Sequence, residues 1–598
     1  MKLRRFLFLL WAGLLVAAAA CAQPVSTLYD KTEYRIAMRD SVRLHTSVFT
    51  PKAPGKAPII IFRTPYGTGP YGEGQFPGSF EKGYMRSYVD RGYIIVRQDV
   101  RGRYMSEGEF MHVRPAGFGS VDETTDSYDT VDWLVKNIPG NNGRVGFAGC
   151  SYPGFYALMG GLSGHPAVKA VSPQAPVTDW YMGDDVHHNG VLMLSDAVRF
   201  LNSMNTPAGH EPTDKMPRRG LTISPDERTF FLTERPTRAD LTKLLAPNAF
   251  WEEMAEHPDY DEWWRARDTR RACYNIRPAM LVVGGTFDAE DCYGAWNLYK
   301  AVLRQSARTP LHLVVGPWAH GAWRGDGRTL GDFDFGEEAS GAYYMEHFEA
   351  PFFDCYLWAR DTVDRLPPVA AFSSGDNRWH TFGRWTPSEA RKLTLYLADG
   401  GRITTEKPTV KNSSTSYTSD PADPVPYIAT SGTRRPKEHY GALNTVMFSP
   451  FVTEPLAEDV TLAGPVEASL KVALSTSDAD FVVKLIDVYP DEGEKAGMQM
   501  LVRGDVVRGR YRDGFARPKA FVPGNPETVP FRTTDIAHTF RAGHRIMVQV
   551  QSSWFPLTER NPQQYVDLWR CAASDFVPCR VTLFHQRDCA SSLTVYKL

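Results

Sequence analysis

With 598 residues, a formal net charge of −2, 12% aromatic and 23% charged residues, the chain has an ordinary globular composition spread over more sequence than one hydrophobic core organises. Roughly two to four domains are expected from that length. The balanced charge leaves no basic surplus to neutralise a polyphosphate, which excludes nucleic acid as the natural partner and points to a small substrate.

Lys2, Arg4 and Arg5 precede an apolar stretch from Phe6 to Ala19, which closes on Ala18-Ala19-Ala20-Cys21. This is the layout of an export signal, too short to span a bilayer comfortably. It places 1–22 apart from the folded protein, which is expected in the periplasm or attached to the outer membrane. Cys21 after three alanines resembles a bacterial lipoprotein cleavage site, with Ala18 where leucine is usual. Ordinary cleavage near Ala20 or Ala22 is the alternative, so a lipid anchor at Cys21 stays open, as does homo-oligomer formation. Export permits disulfides, and Cys571 and Cys579 are near enough in sequence to pair across a loop. Cys150, Cys273, Cys292 and Cys355 read as small buried hydrophobes.

From Tyr34 to about Trp133 apolar runs alternate with turn signals: Val42-Arg43-Leu44, Pro58-Ile59-Ile60-Ile61-Phe62, Tyr93-Ile94-Ile95-Val96. Runs this apolar suit strands covered on both faces. Thr130 to Lys136 reads as a helix, and the acids from Asp122 to Asp132 read as solvated carboxylates at its start. Between Pro173 and about Ile276 the strand rhythm gives way to polar, Trp- and Arg-rich segments, as in an inserted helical cap. It resumes at Pro278, and Tyr344 to Arg360 reads as an amphipathic helix that closes this domain. Beyond Pro367 short alternating runs such as Ala468-Ser469-Leu470-Lys471-Val472 and Arg545 to Val550 indicate a β-sandwich. The expected boundaries are 23–175 and 277–366 for an α/β domain, 176–276 for its cap, and 367–598 for the β domain.

Gly149-Cys150-Ser151-Tyr152-Pro153-Gly154 follows the apolar run Val145 to Ala148 and precedes a helix-like stretch. A strand, a sharp turn and a helix hold a serine hydroxyl at the tip of a strained elbow, where a hydrolase needs its nucleophile. Pro153 stands where the usual pattern has glycine, which the first turn of a helix tolerates because it has no internal acceptor for that N–H. Gly154 is then the candidate for the close approach. Asp288 follows the strand-like Met280 to Val283, and His320 follows Leu311 to Val315. Ser151, Asp288, His320 is the α/β-hydrolase order of nucleophile, acid and base.

Together with Arg63-Thr64-Pro65-Tyr66-Gly67, Gln98-Asp99-Val100-Arg101-Gly102-Arg103, Gly285-Thr286-Phe287-Asp288 and Gly316-Pro317-Trp318-Ala319-His320-Gly321, the elbow resembles the cocaine esterase / X-Pro dipeptidyl peptidase group. The likeness runs from about Tyr34 to the C-terminus. It implies an α/β-hydrolase sheet with a helical cap insertion, followed by a C-terminal jelly-roll β-sandwich domain. It further implies an oxyanion hole made by the Tyr66 phenol and the backbone N–H of Tyr152, although the sequence by itself reads Tyr66 equally as a packed loop tyrosine. Asp288-Ala289-Glu290-Asp291 and Met182-Gly183-Asp184-Asp185 narrow the resemblance to the α-amino acid ester hydrolases. In that subfamily the matching positions Asp185, Glu290 and Asp291 bind the substrate's α-ammonium; Asp184 is a substitute for Asp185. Crowded carboxylates repel and raise one another's pKa unless a cation joins them, and a substrate ammonium is such a cation.

His187 and His188 lack a third ligand at helical spacing, and Asp487 and Asp491-Glu492 read as loop carboxylates, so no metal and no cofactor are expected. The resulting expectation is an exported serine hydrolase that uses Ser151, His320 and Asp288 on small esters, amides or dipeptides with a free α-amino group; likeness to the subfamily extends this to β-lactams with α-amino side chains. An X-Pro dipeptidyl peptidase is the nearest alternative, because it too grips a terminal ammonium. A cell-surface glycan-binding protein with an inactive hydrolase domain is a further one.

Overall fold

The apolar runs of the first half pair into one ten-stranded sheet. Its order is Tyr29–Ala37, Arg43–Pro51, Ile94–Asp99, Ala57–Thr64, Asn141–Cys150, Val168–Gln174, Ala279–Gly285, Leu311–Gly316, Val369–Ser373 and Arg378–Phe382. The computed structural model describes residues 23–204, 212–215, 223–224, 226–234, 236–360, 366–425 and 450–598; the expected export signal and Cys21 lie outside them. Neighbouring strands are parallel from Ile94–Asp99 to Val369–Ser373, and the margins are antiparallel. Alternate residues serve opposite faces. Ile59 and Ile61 join one core with Leu134, Phe155 and Trp296, while Ile60 and Phe62 join another with Tyr88, Phe348 and Phe353.

Three sequence expectations shift. Val369–Ser373 and Arg378–Phe382 lie beyond the boundary expected at 366 yet complete this sheet, because the apolar Val369 to Phe372 suits a strand buried on both faces. The helix expected from Thr130 begins at Glu123 and runs to Asn137, capped by Asp122, whose carboxylate accepts the N–H groups of Thr124 and Thr125. The acids of its first turn are buried rather than solvated: Glu123 meets Arg63 at 3.1 Å and Asp126 meets Arg101 at 2.6 Å, whereas Asp129 and Asp132 stay partly exposed. The closing helix is continuous from Gly341–Tyr344 to Ala350–Trp358, with one widened turn at Met345–Glu349.

The insertion between Gln174 and Ala279 carries a small hairpin, His187–His188 with Val191–Leu192, and the helices Leu194–Met204, Arg238–Leu245, Ala249–Glu256 and Glu262–Arg267. Leu201, Leu241, Trp251 and Trp264 belong to the same core as one face of the sheet, so the insertion is fused to the domain it covers.

Beyond Phe382 the described residues form a twelve-stranded β domain with its own core, built on Leu470, Phe481, Val483, Val548 and Val581. It reaches the first domain at the loop after Ala279–Gly285. Ala289 packs with Val482, Ile486 and Trp554, and Arg503 Nη2 donates to the Thr286 carbonyl at 2.7 Å. Asp487 is not a loop carboxylate: it is wholly buried, bridging His538 at 3.2 Å and His544 at 2.8 Å. Cys571 and Cys579 are both free, as are the other described cysteines, and Cys355 is only half-buried. The Cys579 side chain is taken up in the β-domain core.

A buried ion network clamps insertion to β domain. Arg238 Nε and Nη2 donate to Glu559 at 2.8 and 2.5 Å, Arg508 Nη2 lies 2.8 Å from the same carboxylate, and Arg508 also pairs with Asp480. Burial pushes the Glu559 carboxyl up, but the two guanidiniums outweigh it and hold it at about 2. A carboxyl moved down from 4.5 to about 2 contributes about 3 kcal/mol of stability. That stability is present above the unfolded value and is lost as pH falls from 4.5 toward 2. Glu559→Gln is therefore expected to lower Tm at pH 7 by the equivalent of about 3–5 kcal/mol, since two buried cations lose their partner. It should also flatten the fall of Tm between pH 5 and pH 3 relative to wild type, as read by calorimetry.

Candidate active site

The strand Asn141–Cys150 turns through Ser151 into the helix Tyr152–Leu162, and Ser151 takes φ 71°, ψ −131°. A non-glycine residue in this region stores strain that the surroundings must hold. Two close approaches do so. A Cβ on Gly149 would lie 2.1 Å from the Pro153 carbonyl oxygen, and one on Gly154 would lie 2.5 Å from that of Gln174. The Ser151 N–H donates to the Gln174 carbonyl at 2.9 Å. Pro153 sits within the first helical turn, where its missing N–H costs nothing.

The structure brings Asp288 and His320 together. His320 Nδ1 donates to Asp288 Oδ2 at 2.9 Å, while Asp288 Oδ1 accepts the N–H groups of Glu290 at 2.8 Å and Asp291 at 3.0 Å. Burial pushes the Asp288 carboxyl up, but the imidazole and the two amides prevail and hold it below the usual range. Burial likewise disfavours charged His320, yet Asp288 and Glu290 raise it well above 6.5.

The Ser151 hydroxyl donates to Asp291 Oδ2 at 3.3 Å. That oxygen lies 4.0 Å from His320 Nδ1, and Glu290 Oε2 lies 3.8 Å from His320 Nε2. Hydroxyl, imidazole and carboxylates thus line one cleft. Asp185 joins them from the insertion: its N–H donates to the Glu290 carbonyl at 3.0 Å, and its Oδ2 accepts the Trp180 indole N–H at 2.9 Å. Burial and the Glu290 charge push Asp185 up to about 6. Burial, with Asp185 and Asp184 nearby, holds Asp291 well above the ordinary carboxylate range.

Asp184 is not a substitute for Asp185. It is wholly buried and bound to protein donors, accepting the N–H of Thr178 at 2.7 Å, of Asp179 at 2.9 Å and of Gly294 at 2.7 Å. It staples the insertion to the start of the helix Cys292–Gln305. Tyr66 is 44% exposed, but its hydroxyl faces the acids. Burial of that end, with Asp185, Tyr152, Asp291 and Glu290 around it, keeps the phenol protonated well past 10, so it can donate. The Tyr152 side chain is structural, its hydroxyl accepting the Val113 N–H at 2.7 Å. Its backbone N–H is the first of the helix and has no intrahelical acceptor. His188 pairs with Asp505 of the β domain at 3.1 Å, His187 is buried, and no group of three metal-ligating side chains occurs among the described residues.

Two residues that shape the site are missed by sequence reasoning. Trp180 orients Asp185. Gln174 holds the elbow through its carbonyl, accepts the Trp323 indole N–H at 2.8 Å, and donates to the Tyr84 hydroxyl at 3.2 Å. Its position as a polar residue closing the apolar strand beside the elbow is the one available signal.

Two family profiles match the chain: X-Pro dipeptidyl-peptidase (S15 family) over residues 40–322, and the X-Pro dipeptidyl-peptidase C-terminal non-catalytic domain over 361–577. A solved aminopeptidase from a marine-sediment Thaumarchaeota archaeon is 33% identical, with a TM-score of 0.87 over 95% of this chain and 96% of its own. A solved alpha-amino acid ester hydrolase is 31% identical, with a TM-score of 0.86 over 98% and 100%. The chain belongs to the CocE/NonD family. Cocaine esterase of a Rhodococcus species is similar too, 27% identical over 88% of this chain and 91% of that one. CocE/NonD relatives are esterases and peptidases, and this chain is a serine hydrolase with their α/β sheet and C-terminal β domain.

Because an added methyl at Gly149 meets backbone rather than a flexible side chain, Gly149→Ala is expected to cut ester turnover by about a hundredfold or more through displacement of the hydroxyl. Labelling by a fluorophosphonate should slow in parallel, and unchanged labelling would show that the elbow tolerates the substitution.

Proposed function

We propose that this hydrolase cleaves small esters or amides whose acyl part carries a free α-amino group, by two-step acyl transfer. Ser151 attacks the carbonyl while His320 takes its proton, Asp288 holds the imidazole, and the Tyr66 hydroxyl and Tyr152 N–H receive the oxyanion. The proton passes to the leaving group, and water then releases the acyl group by the same route in reverse. The observation that carries the substrate class is the meeting of Asp185, Glu290 and Asp291 beside the Ser151 hydroxyl. A substrate ammonium relieves their repulsion, one charge pair at about 4 Å being worth roughly 4 kcal/mol at an effective dielectric near 20 before desolvation. Likeness to a solved alpha-amino acid ester hydrolase supports the same reading.

An X-Pro dipeptidyl peptidase is the second reading, favoured by the profile over 40–322; it needs the same ammonium grip. Phenylglycine methyl ester and an X-Pro chromogenic amide, turned over side by side, separate the two, and cleavage of the amide alone would replace the first reading. Asp185→Asn is expected to raise KM for phenylglycine methyl ester at least about tenfold, the loss of one partly desolvated charge pair, and to leave KM for methyl phenylacetate nearly unchanged. Equal losses would remove the ammonium site.

The base must be neutral to accept a proton, and the carboxylates hold His320 charged to above 6.5. The kcat/KM of a neutral ester is therefore expected to rise with pH through a midpoint above 6.5. Glu290→Gln should move that midpoint downward, by up to about one unit, in a pH–rate profile.

A further inference from the structure

Asp291 stands at the N-cap of the helix Cys292–Gln305 yet makes no side-chain capping bond. Its carboxylate turns into the cleft instead and is wholly buried there. One oxygen, Oδ2, accepts the Ser151 hydroxyl; the other, Oδ1, is buried without a hydrogen-bond partner among the described residues. Such an orphaned acceptor is costly unless a donor joins it. Asp184 and Asp288 nearby, by contrast, are each bound to several protein donors. The hydroxyl proton that acyl transfer needs on His320 is thus directed at a neighbouring carboxylate.

We propose that Asp291 is a cation-released latch on the nucleophile. When an ammonium group settles among Asp185, Glu290 and Asp291, it takes over the Asp291 carboxylate, and the Ser151 hydroxyl turns by one side-chain rotation toward the imidazole. No backbone movement is needed, since rotation about a serine side chain passes between staggered wells. The latch rests on the reading of the acidic cluster as an ammonium site and gives that site a second task. An α-amino group then raises kcat as well as lowering KM, whereas an ester without one reacts from a serine that is held back.

The first test needs no substitution. Labelling of wild-type Ser151 by a neutral fluorophosphonate is timed with methylammonium chloride and with sodium chloride at equal ionic strength, and methylammonium is assayed separately as a competitive inhibitor of phenylglycine methyl ester hydrolysis. Competitive inhibition together with labelling accelerated about tenfold or more, the range of one hydrogen bond to a charged group, is the expected result. Inhibition without acceleration overturns the latch and leaves the ammonium site standing; neither effect removes both. In Asp291→Asn the amide is a weaker acceptor, so kcat for methyl phenylacetate is expected to rise about threefold or more while kcat/KM for phenylglycine methyl ester falls. A fall confined to the amino ester overturns the latch alone, and an equal fall on both esters overturns the ammonium site with it.

Discussion

Four carboxylates, those of Asp185, Asp288, Glu290 and Asp291, close on a single imidazole in a mostly buried cleft, and holding that much like charge in place is the constraint around which the rest is arranged. Each acid is treated differently. Asp288 receives two backbone amides and the imidazole and stays ionised. Asp185 receives one indole N–H and is pushed up to about 6. Asp291 receives the serine hydroxyl and is held well above the ordinary range by burial and by Asp185 and Asp184. Environment thus sorts chemically identical groups into separate states, one held ionised beside the imidazole and others pushed toward the protonated form.

Such a cluster needs rigid support, and it comes from three directions. Asp184 fastens the insertion to the helix that follows Asp291. The β domain props the loop of Asp288 through the packing of Ala289 and the Arg503 bond to Thr286. Arg238, Glu559 and Arg508 lock β domain to insertion. The β domain contributes none of the candidate catalytic side chains, yet it fixes the loop that presents three of the acids.

Much of this was legible because the residues concerned are marked by local pattern. Gly149 to Gly154 announces an elbow through its glycines, and Asp288 and His320 stand just past strand-like apolar runs. The acids were legible only through family likeness, since Asp185 and Asp291 lie far apart in sequence and nothing local says that they meet. The strands Val369–Ser373 and Arg378–Phe382 read from sequence as part of the β domain, because a parallel strand buried on both faces and a sandwich strand look alike over five residues. The start of the helix at Glu123 is hidden for another reason. Acids there read as solvated until the arginines that pair with them are seen to arrive, Arg63 from the strand Ala57–Thr64 and Arg101 from the turn after Ile94–Asp99.

The two sides of the cleft differ in their access to water. Asp185, on the fused insertion, and Asp291, on the loop it covers, are shut in, while the ring of Tyr66 and part of His320 look outward. Under the proposed chemistry the departing group takes its proton from His320, and so sits at the doorway, with room to vary in bulk. The acyl half must fit a closed socket. An enzyme built this way is exacting about the acid it takes up and permissive about the alcohol or amine it lets go.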